Sequence, residues 1–588
     1  MTASPGRVSR GRDGRVVVGR AFRERTLETL VLAVPLGFLG LFVIVPLGLL
    51  VVRSVQDDAG RFVGLDNYVR YAATPALSTA VVNSLWTATL AAFLAVALAF
   101  VLAYGLHRCR VPAAPLARQL LLLPIYAPTM LPALALVFLF GKQGFVTTGL
   151  FGHLPGVDIG LYGGVGIVLC GMIVALPGAV LLAGVAFGGI DGRIDDAAMT
   201  ITASPWRRLW VVVLPALSYG VATAVLASFA IVFTDFGGPK IVGGDLTVLP
   251  VQVYQQVLGQ QRLSTGAVVT LVLLLPSAAA FAAQHLLAQR QAVRTATLDG
   301  RATRPKFRPN RLRDVTFSVL VWASAGAMLV GVLAAGAVSL VHLWPWSLAS
   351  PGDVDGPVFS LRHFDFSHKL PDGGGRAVLN SVLYAAVSAA IGTPLVFLAA
   401  YGSLKLRGVS APRALVHLLS LLPLALPGLA IGLTYLLLFN RPTLLGLPNP
   451  LAAAYGTAVP IIVSNIVHFF GLGYLTAATA LRQQDRSFED AAATMGVSRW
   501  RLVGRVTLPL SAPALLDVAT YLFVSSMSTV SAVIFLYGPG TITAPVAVVA
   551  MDDAGETQSA VAMCVVLLAI NLVVAAALQT AKRWRVVR

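Results

Sequence analysis

The sequence predicts an all-α protein that crosses a membrane about twelve times, built as two tandem halves of six helices. Three observations predict it. The 588 residues are 57% hydrophobic and 12% charged, with a mean hydropathy of +0.81; a soluble domain averages about 25% charged. Apolar runs of the ~20 residues needed to cross a bilayer recur at 27–52, 80–106, 116–140, 160–187, 211–236, 266–288, 315–343, 378–404, 414–439, 451–478, 510–536 and 557–580. Short motifs repeat in the same order in each half.

The first 26 residues carry seven arginines. The apolar run behind them has no small-residue cleavage site in signal-peptide position, so it reads as a first span. Asn83-Ser84 opens span two and Tyr104-Gly105 closes it; Asn380-Ser381 and Tyr401-Gly402 frame span eight at the same spacing. LLPIYAP at 122–128 in span three matches LLPLALP at 421–427 in span nine. DDAAMTITASPWRRLWVVVLP at 195–215 and EDAAATMGVSRWRLVGRVTLP at 489–509 share 10 of 21 positions. Three matches in one order imply a tandem duplication. Six spans per half keep both halves the same way up, about a pseudo-two-fold axis along the membrane normal. The organisation expected is a basic tail (1–26), a first half (27–289), a basic linker (290–314), a second half (315–581) and a basic tail (582–588).

Of 43 lysines and arginines, 33 fall on the side of the N-terminus and 10 on the other. The positive-inside rule then places both termini in the cytoplasm, with the basic loops facing anionic headgroups. This distribution accounts for the net charge of +18 and counts against nucleic acid as a partner. Cys109, Cys170 and Cys564 are scattered, with neither metal spacing nor a disulfide framework. No phosphate-cradling G-x-x-x-x-G-K-[ST] occurs, nor any metalloprotease or nucleophile-elbow motif. No catalytic residue, metal site or bound cofactor is expected. The histidines His107, His285 and His417 sit at cytoplasmic span ends, as interfacial anchors would.

The stretch 489–505 reads as a cytoplasmic helix–glycine–helix hairpin. Glu489 and Asp490 oppose the positive end of a helix dipole. Ala491, Ala492 and Ala493 let another surface approach closely. Gly496 permits a sharp turn. Ser498 is placed to cap a second short helix that carries Trp500, Arg501 and Arg505, and Leu508-Pro509 opens the next span. Any cytoplasmic loop can lie on headgroups as an amphipathic helix; recurrence in both halves favours a specific role.

The pattern at Asp490, Ala491-Ala492, Gly496 and Leu508-Pro509 resembles the E-A-A loop of binding-protein-dependent ABC importer permeases. The resemblance covers the whole chain and implies type I importer halves. It also implies hairpins at 195–209 and 489–505 that couple to ATPase subunits, through Asp195, Asp196, Ala197, Ala198 and Trp206 in the first copy and Glu489, Asp490, Ala491, Ala492, Gly496, Trp500 and Arg501 in the second. The first copy departs further, with Thr202 where the second has Gly496. The implied partners are two ATPase subunits, expected as a homodimer that uses ATP and Mg, an extracytoplasmic solute-binding protein and the lipid bilayer. The implied location is a bacterial inner membrane. The fused layout resembles ferric iron, thiamine and organophosphonate importers. FTDFGGPKIVGG at 233–244, VYQQVLGQQRLSTGAVV at 253–269, STVSAVIFLYGPGT at 528–541 and VAVVAMDDAGE at 546–556 resemble permeases for 2-aminoethylphosphonate, which that narrower resemblance implies as solute.

Ionisable groups within spans are few. Asp235 reads either as a pathway group or as a cap on the Gly237-Gly238 turn. The matching position in the second half is Thr529, in a hydroxyl cluster with Ser525 and Ser528 that either lines a pathway or packs helices closely. Asp517 is expected to pair with Arg505 or a neighbouring loop. The outer loop 344–377 reads as a surface loop with a short amphipathic helix, or as part of a receiving surface for the binding protein. An ion-driven carrier is the rival class; it would need midplane carboxylates or broken helices as ion sites, and the scarcity of buried acids counts against it.

Overall fold

The computed structural model describes residues 28–188, 207, 211, 214–296, 310–349, 356–370, 373–406, 410–444, 446–485 and 487–587. Asp195, Asp196, Ala197, Ala198 and Trp206 lie outside the described residues. The chain is a polytopic all-α membrane protein. Among the described residues the only paired strands are Thr443–Leu444 and Leu447–Pro448.

Among the described residues ten helices are long and apolar enough to span, or eleven if one bent pair is counted as a span. In chain order, the helices that shape the bundle are α1 (Glu28–Ser54), α2 (Pro75–Arg108), α3 (Ala114–Leu121), α4 (Leu131–Phe140), α5 (Gly164–Gly188), α6 (Leu214–Thr234), α7 (Gly237–Val242), α8 (Leu249–Tyr254) and α9 (Leu263–Ala296). Then come α10 (Arg311–Leu340), α11 (Gly374–Lys405), α12 (Ser410–Leu421), α13 (Gly428–Phe439), α14 (Ala458–Arg482), α15 (Ser487–Thr494), α16 (Arg499–Ser528), α17 (Ala544–Asp553) and α18 (Thr557–Val587).

The third and ninth expected spans are corrected. Neither is a continuous helix. Each breaks at its Leu-Leu-Pro sequence into a 3₁₀ turn, Leu123–Tyr126 and Leu422–Ala425, before the chain resumes as α4 and α13. Proline supplies no amide donor and pushes the residue before it towards extended backbone. Ala127, before Pro128, is extended at ψ 147°, and Leu426, before Pro427, at ψ 119°. The second break bends its two helices by 110°. The eleventh span is also shifted: α16 starts at Arg499 and stops at Ser528, not at 536. The chain then makes buried turns through 530–536. Ser464 Oγ donates to the Ala532 carbonyl there at 2.7 Å, satisfying a backbone group that burial would otherwise leave unpaired.

The repeated motifs have matching contacts. Ser84 Oγ accepts from Leu249 N at 2.7 Å, and Ser381 Oγ accepts from Ala544 N at 2.7 Å. Asn83 Nδ2 donates to the Thr247 carbonyl, and Asn380 Nδ2 to the carbonyls of Gly540 and Ile542. Each Asn-Ser pair therefore pins the first turn of a short helix, α8 or α17, whose leading amides have no partner within the helix. The Tyr-Gly pairs sit where a foreign helix crosses. A Cβ on Gly105 would lie 3.1 Å from Val321 of α10, and one on Gly402 would lie 3.1 Å from Leu32 of α1. The α10 helix, in the sequence of the second half, lies against α2, α3 and α4; α1 lies against α13 and α9. Tyr435 OH donates to the Phe42 carbonyl at 2.8 Å and Trp322 Nε1 to the Pro112 carbonyl at 3.0 Å, fixing these two crossings.

Candidate coupling hairpin and translocation cavity

The hairpin forms at one end of the bundle. Glu489 and Asp490 stand in the first turn of α15. The helix ends in a Schellman turn: Gly496 takes φ +65°, Val497 N donates to the Ala492 carbonyl at 2.9 Å and Gly496 N to the Ala493 carbonyl at 3.2 Å. Only glycine adopts this left-handed conformation without steric cost. Ser498 has extended backbone at the start of α16 but makes no side-chain cap bond, so that expectation is corrected. Leu508-Pro509 lies within a continuous α16 and does not open it. Gln484 Nε2 donates to Ser511 Oγ at 2.9 Å and closes the base of the hairpin.

The hairpin residues divide by what they touch. Ala492 is buried, and Trp500 packs on the core. Glu489 pairs with Lys405 Nζ at 2.6 Å, at the end of α11. Arg499 pairs with Glu28 at the start of α1. Asp490, Ala491, Gly496 and Arg501 are exposed. Sequence reasoning passed over Phe488 and Met495, which are 49% and 72% exposed. With Ala491 they stand at i, i+3 and i+7 and so share one helix face; that spacing was the signal available.

A cavity of about 470 Å³ opens between the two breaks at Pro124–Pro132 and Pro423–Gly428. Asp235, Ser525, Ser528 and Thr529 all line it. Residues far apart in sequence therefore line one cavity, together with Tyr521 and His468, which sequence reasoning did not single out. Asp235 lines this cavity, and its carboxylate accepts from Gly238 N at 3.2 Å. Ser528 Oγ accepts from Asn571 Nδ2 at 3.0 Å, while Asn571 also donates to the Tyr126 carbonyl at 2.9 Å. Asp517 does not pair with Arg505; Lys582 holds it at 2.6 Å. In the loop 344–377 the Lys369 ammonium, 2.7 Å from Glu556, holds that carboxyl below the usual glutamate range.

The family model described as "Binding-protein-dependent transport system inner membrane component" matches residues 392–585. A probable molybdenum ABC transporter permease of Haloferax volcanii is 30% identical over 228 residues, 38% of this chain and 77% of the relative. The chain belongs to this family of ABC importer permeases. The matched part of the permease runs from α11 through α18 and contains the whole hairpin at 489–505. Along more of its length the permease is similar to a putative ferric transport system permease, FbpB 1 of Haemophilus influenzae. That relative is 26% identical over 449 residues, 74% of this chain and 67% of the relative. A putative 2-aminoethylphosphonate permease, PhnV of Salmonella choleraesuis, is 28% identical over 163 residues, 28% of this chain and 58% of the relative.

Proposed function

We propose that this permease is the membrane-spanning part of an ATP-driven importer of the bacterial inner membrane, with both termini cytoplasmic. Two ATPase subunits, a homodimer, dock on the hairpins at 195–209 and 489–505, and a binding protein delivers solute to the opposite end. The exposed face of Phe488, Ala491 and Met495, held out by the Gly496 turn, is the observation that carries this reading. Burying the phenylalanine and methionine side chains in a partner cleft is worth up to about 1.5–3 kcal/mol each.

The ion pairs give docking a mechanical outlet. A shift of the hairpin pulls α11 through Lys405 and α1 through Glu28. Because α1 lies across α13, the shift reaches the wall of the cavity. ATP binding favours one arrangement of the bundle and hydrolysis returns the other, which requires ATP to bind the two arrangements unequally. The matched Asn-Ser, Tyr-Gly and Leu-Leu-Pro contacts support two duplicated halves rocking about a common axis.

Ferric iron is the solute supported best, because the relative named for it aligns with most of the chain; 2-aminoethylphosphonate, expected from the residues at 233–269 and 528–541, rests on a shorter match. The test is uptake into proteoliposomes holding the permease, its ATPase and its binding protein. ATP-dependent uptake of radiolabelled ferric iron is expected. Uptake of 2-aminoethylphosphonate instead would reassign the solute. Uptake driven by an ion gradient without ATP would overturn the importer reading.

A further inference from the structure

At the end of the bundle opposite the hairpin, one ion pair joins the two sequence halves. Lys240 Nζ on α7 lies 2.7 Å from Asp553 Oδ1 at the end of α17. Tyr254 OH, at the end of α8, donates to the other oxygen of Asp553 at 3.3 Å. The lysine ammonium stands 5.7 Å from the Tyr254 ring centroid, within reach of a cation–π contact. The Tyr254 ring in turn packs on Phe236 at 5.0 Å between centroids. One carboxylate thus gathers a cation and a hydroxyl from two separate helices of the other half.

The position matters more than the pair. Asp235, in the cavity wall, is bonded to Gly238 N on the same short helix that carries Lys240. On the other side, α17 is pinned by Ser381 and Asn380 to the start of α11, and α11 ends at Lys405, the partner of Glu489 in the hairpin. A continuous set of named contacts therefore runs from the hairpin, along α11, to Asp553, Lys240 and the cavity carboxylate.

We propose that Lys240, Asp553 and Tyr254 form the latch that holds the cavity shut at its outer end, and that they are positioning residues for transport. Spreading the halves at this end must separate Lys240 from Asp553. The latch therefore sets how often the cavity opens outward in the absence of solute. An exposed ion pair is individually weak; the Tyr254 hydroxyl bond to the same carboxylate and the contact of Lys240 with the Tyr254 ring bring the expected effect to about tenfold in the open population, ~1.4 kcal/mol. This inference rests on the importer reading for its direction.

The test uses the full chain in intact cells, with Ser528→Cys in the cavity as reporter and a membrane-impermeant methanethiosulfonate added outside. The parent chain corrects for its three native cysteines. Lys240→Ala and Asp553→Ala should each raise the rate of Ser528→Cys modification about tenfold, and Tyr254→Phe by less. The exchanged pair, Lys240→Asp with Asp553→Lys, should return the rate towards the parent value. Lys369→Ala, which breaks the nearby pair with Glu556, should leave it unchanged. Unchanged rates in the single variants, failure of the exchange to restore, or an equal rise for Lys369→Ala would each overturn the latch. The measurement needs neither solute nor ATPase. A failed uptake experiment would sink the importer reading and leave this result standing, and the reverse holds equally.

Discussion

Lys405 Nζ lies 2.6 Å from Glu489 Oε1, and the lysine side chain is only one-tenth exposed. Glu489 therefore faces its own bundle, where the family resemblance alone would have aimed it at a partner. Removing it strands a largely buried ammonium, at a cost of about 1–3 kcal/mol, below the ~3–5 of a fully buried pair because the carboxylate is partly wet. Glu489→Ala should lower solute-stimulated ATP hydrolysis several-fold in proteoliposomes. The exchange Glu489→Lys with Lys405→Glu should recover much of the loss, whereas a direct contact of Glu489 with the ATPase would leave the exchanged protein as impaired as the single variant.

The two hairpins should be unequal. The second has Glu489 and Gly496, and the first has Asp195 and Thr202 at the matching places. Asp195→Ala should reduce coupled hydrolysis less than Glu489→Ala, by a few-fold, or roughly 1 kcal/mol. Side-by-side hydrolysis rates of the two variants decide this, and equal losses would show the copies to be equivalent.

Gly496 occupies φ +65° with open space around its missing Cβ. Strain, not collision, therefore governs its substitution. Gly496→Ala should cost about 1–2 kcal/mol locally and leave partial transport. Gly496→Pro, whose ring fixes φ near −65°, should abolish transport while the protein still inserts. Membrane fractionation alongside uptake checks both. Normal uptake by inserted Gly496→Pro would remove the hairpin from the coupling path.

Phe488→Ser and Met495→Ser should each weaken retention of the ATPase on the purified permease by about tenfold, ~1.4 kcal/mol, without altering membrane insertion. Pull-down of the ATPase at graded concentrations reads this directly. Unchanged retention would mean that the face lies in headgroups.

Gly402 and Gly105 should resist enlargement. Gly402→Val pushes branched methyls into Leu32 and Val31, an overpacking that costs about 1–3 kcal/mol. Gly326→Val, at a site with nothing within 4 Å, should cost little. Thermal unfolding in detergent separates them, with Gly402→Val melting lower.

Orientation follows from charge. A cysteine at Ala302 should resist an impermeant thiol reagent outside intact cells, and one at Asp353 should react. The opposite pattern would invert the protein in the membrane.

The helical class, the apolar runs and the hairpin are legible in the sequence. These are local: hydrophobic length, a glycine before a second helix and a repeated motif are all readable within a few dozen residues. The sequence also held the signals for the two breaks, since LLPIYAP and LLPLALP each carry two prolines, but apolar length outweighed them and both segments read as whole spans. Only the tertiary structure decided which side chains meet. Asp235 reaches the same cavity as Ser525, Ser528 and Thr529 because α6 and α16 converge there. Glu489 turns inward because the end of α11 places Lys405 beneath it. Tyr104-Gly105 and Tyr401-Gly402 were visible as repeats, yet their reason, the close crossing of α10 and α1, lies in helices some 210 and 370 residues away. Ion pairs such as Lys240 with Asp553 depend on where two short helices end in space, and no periodicity along the chain encodes that distance.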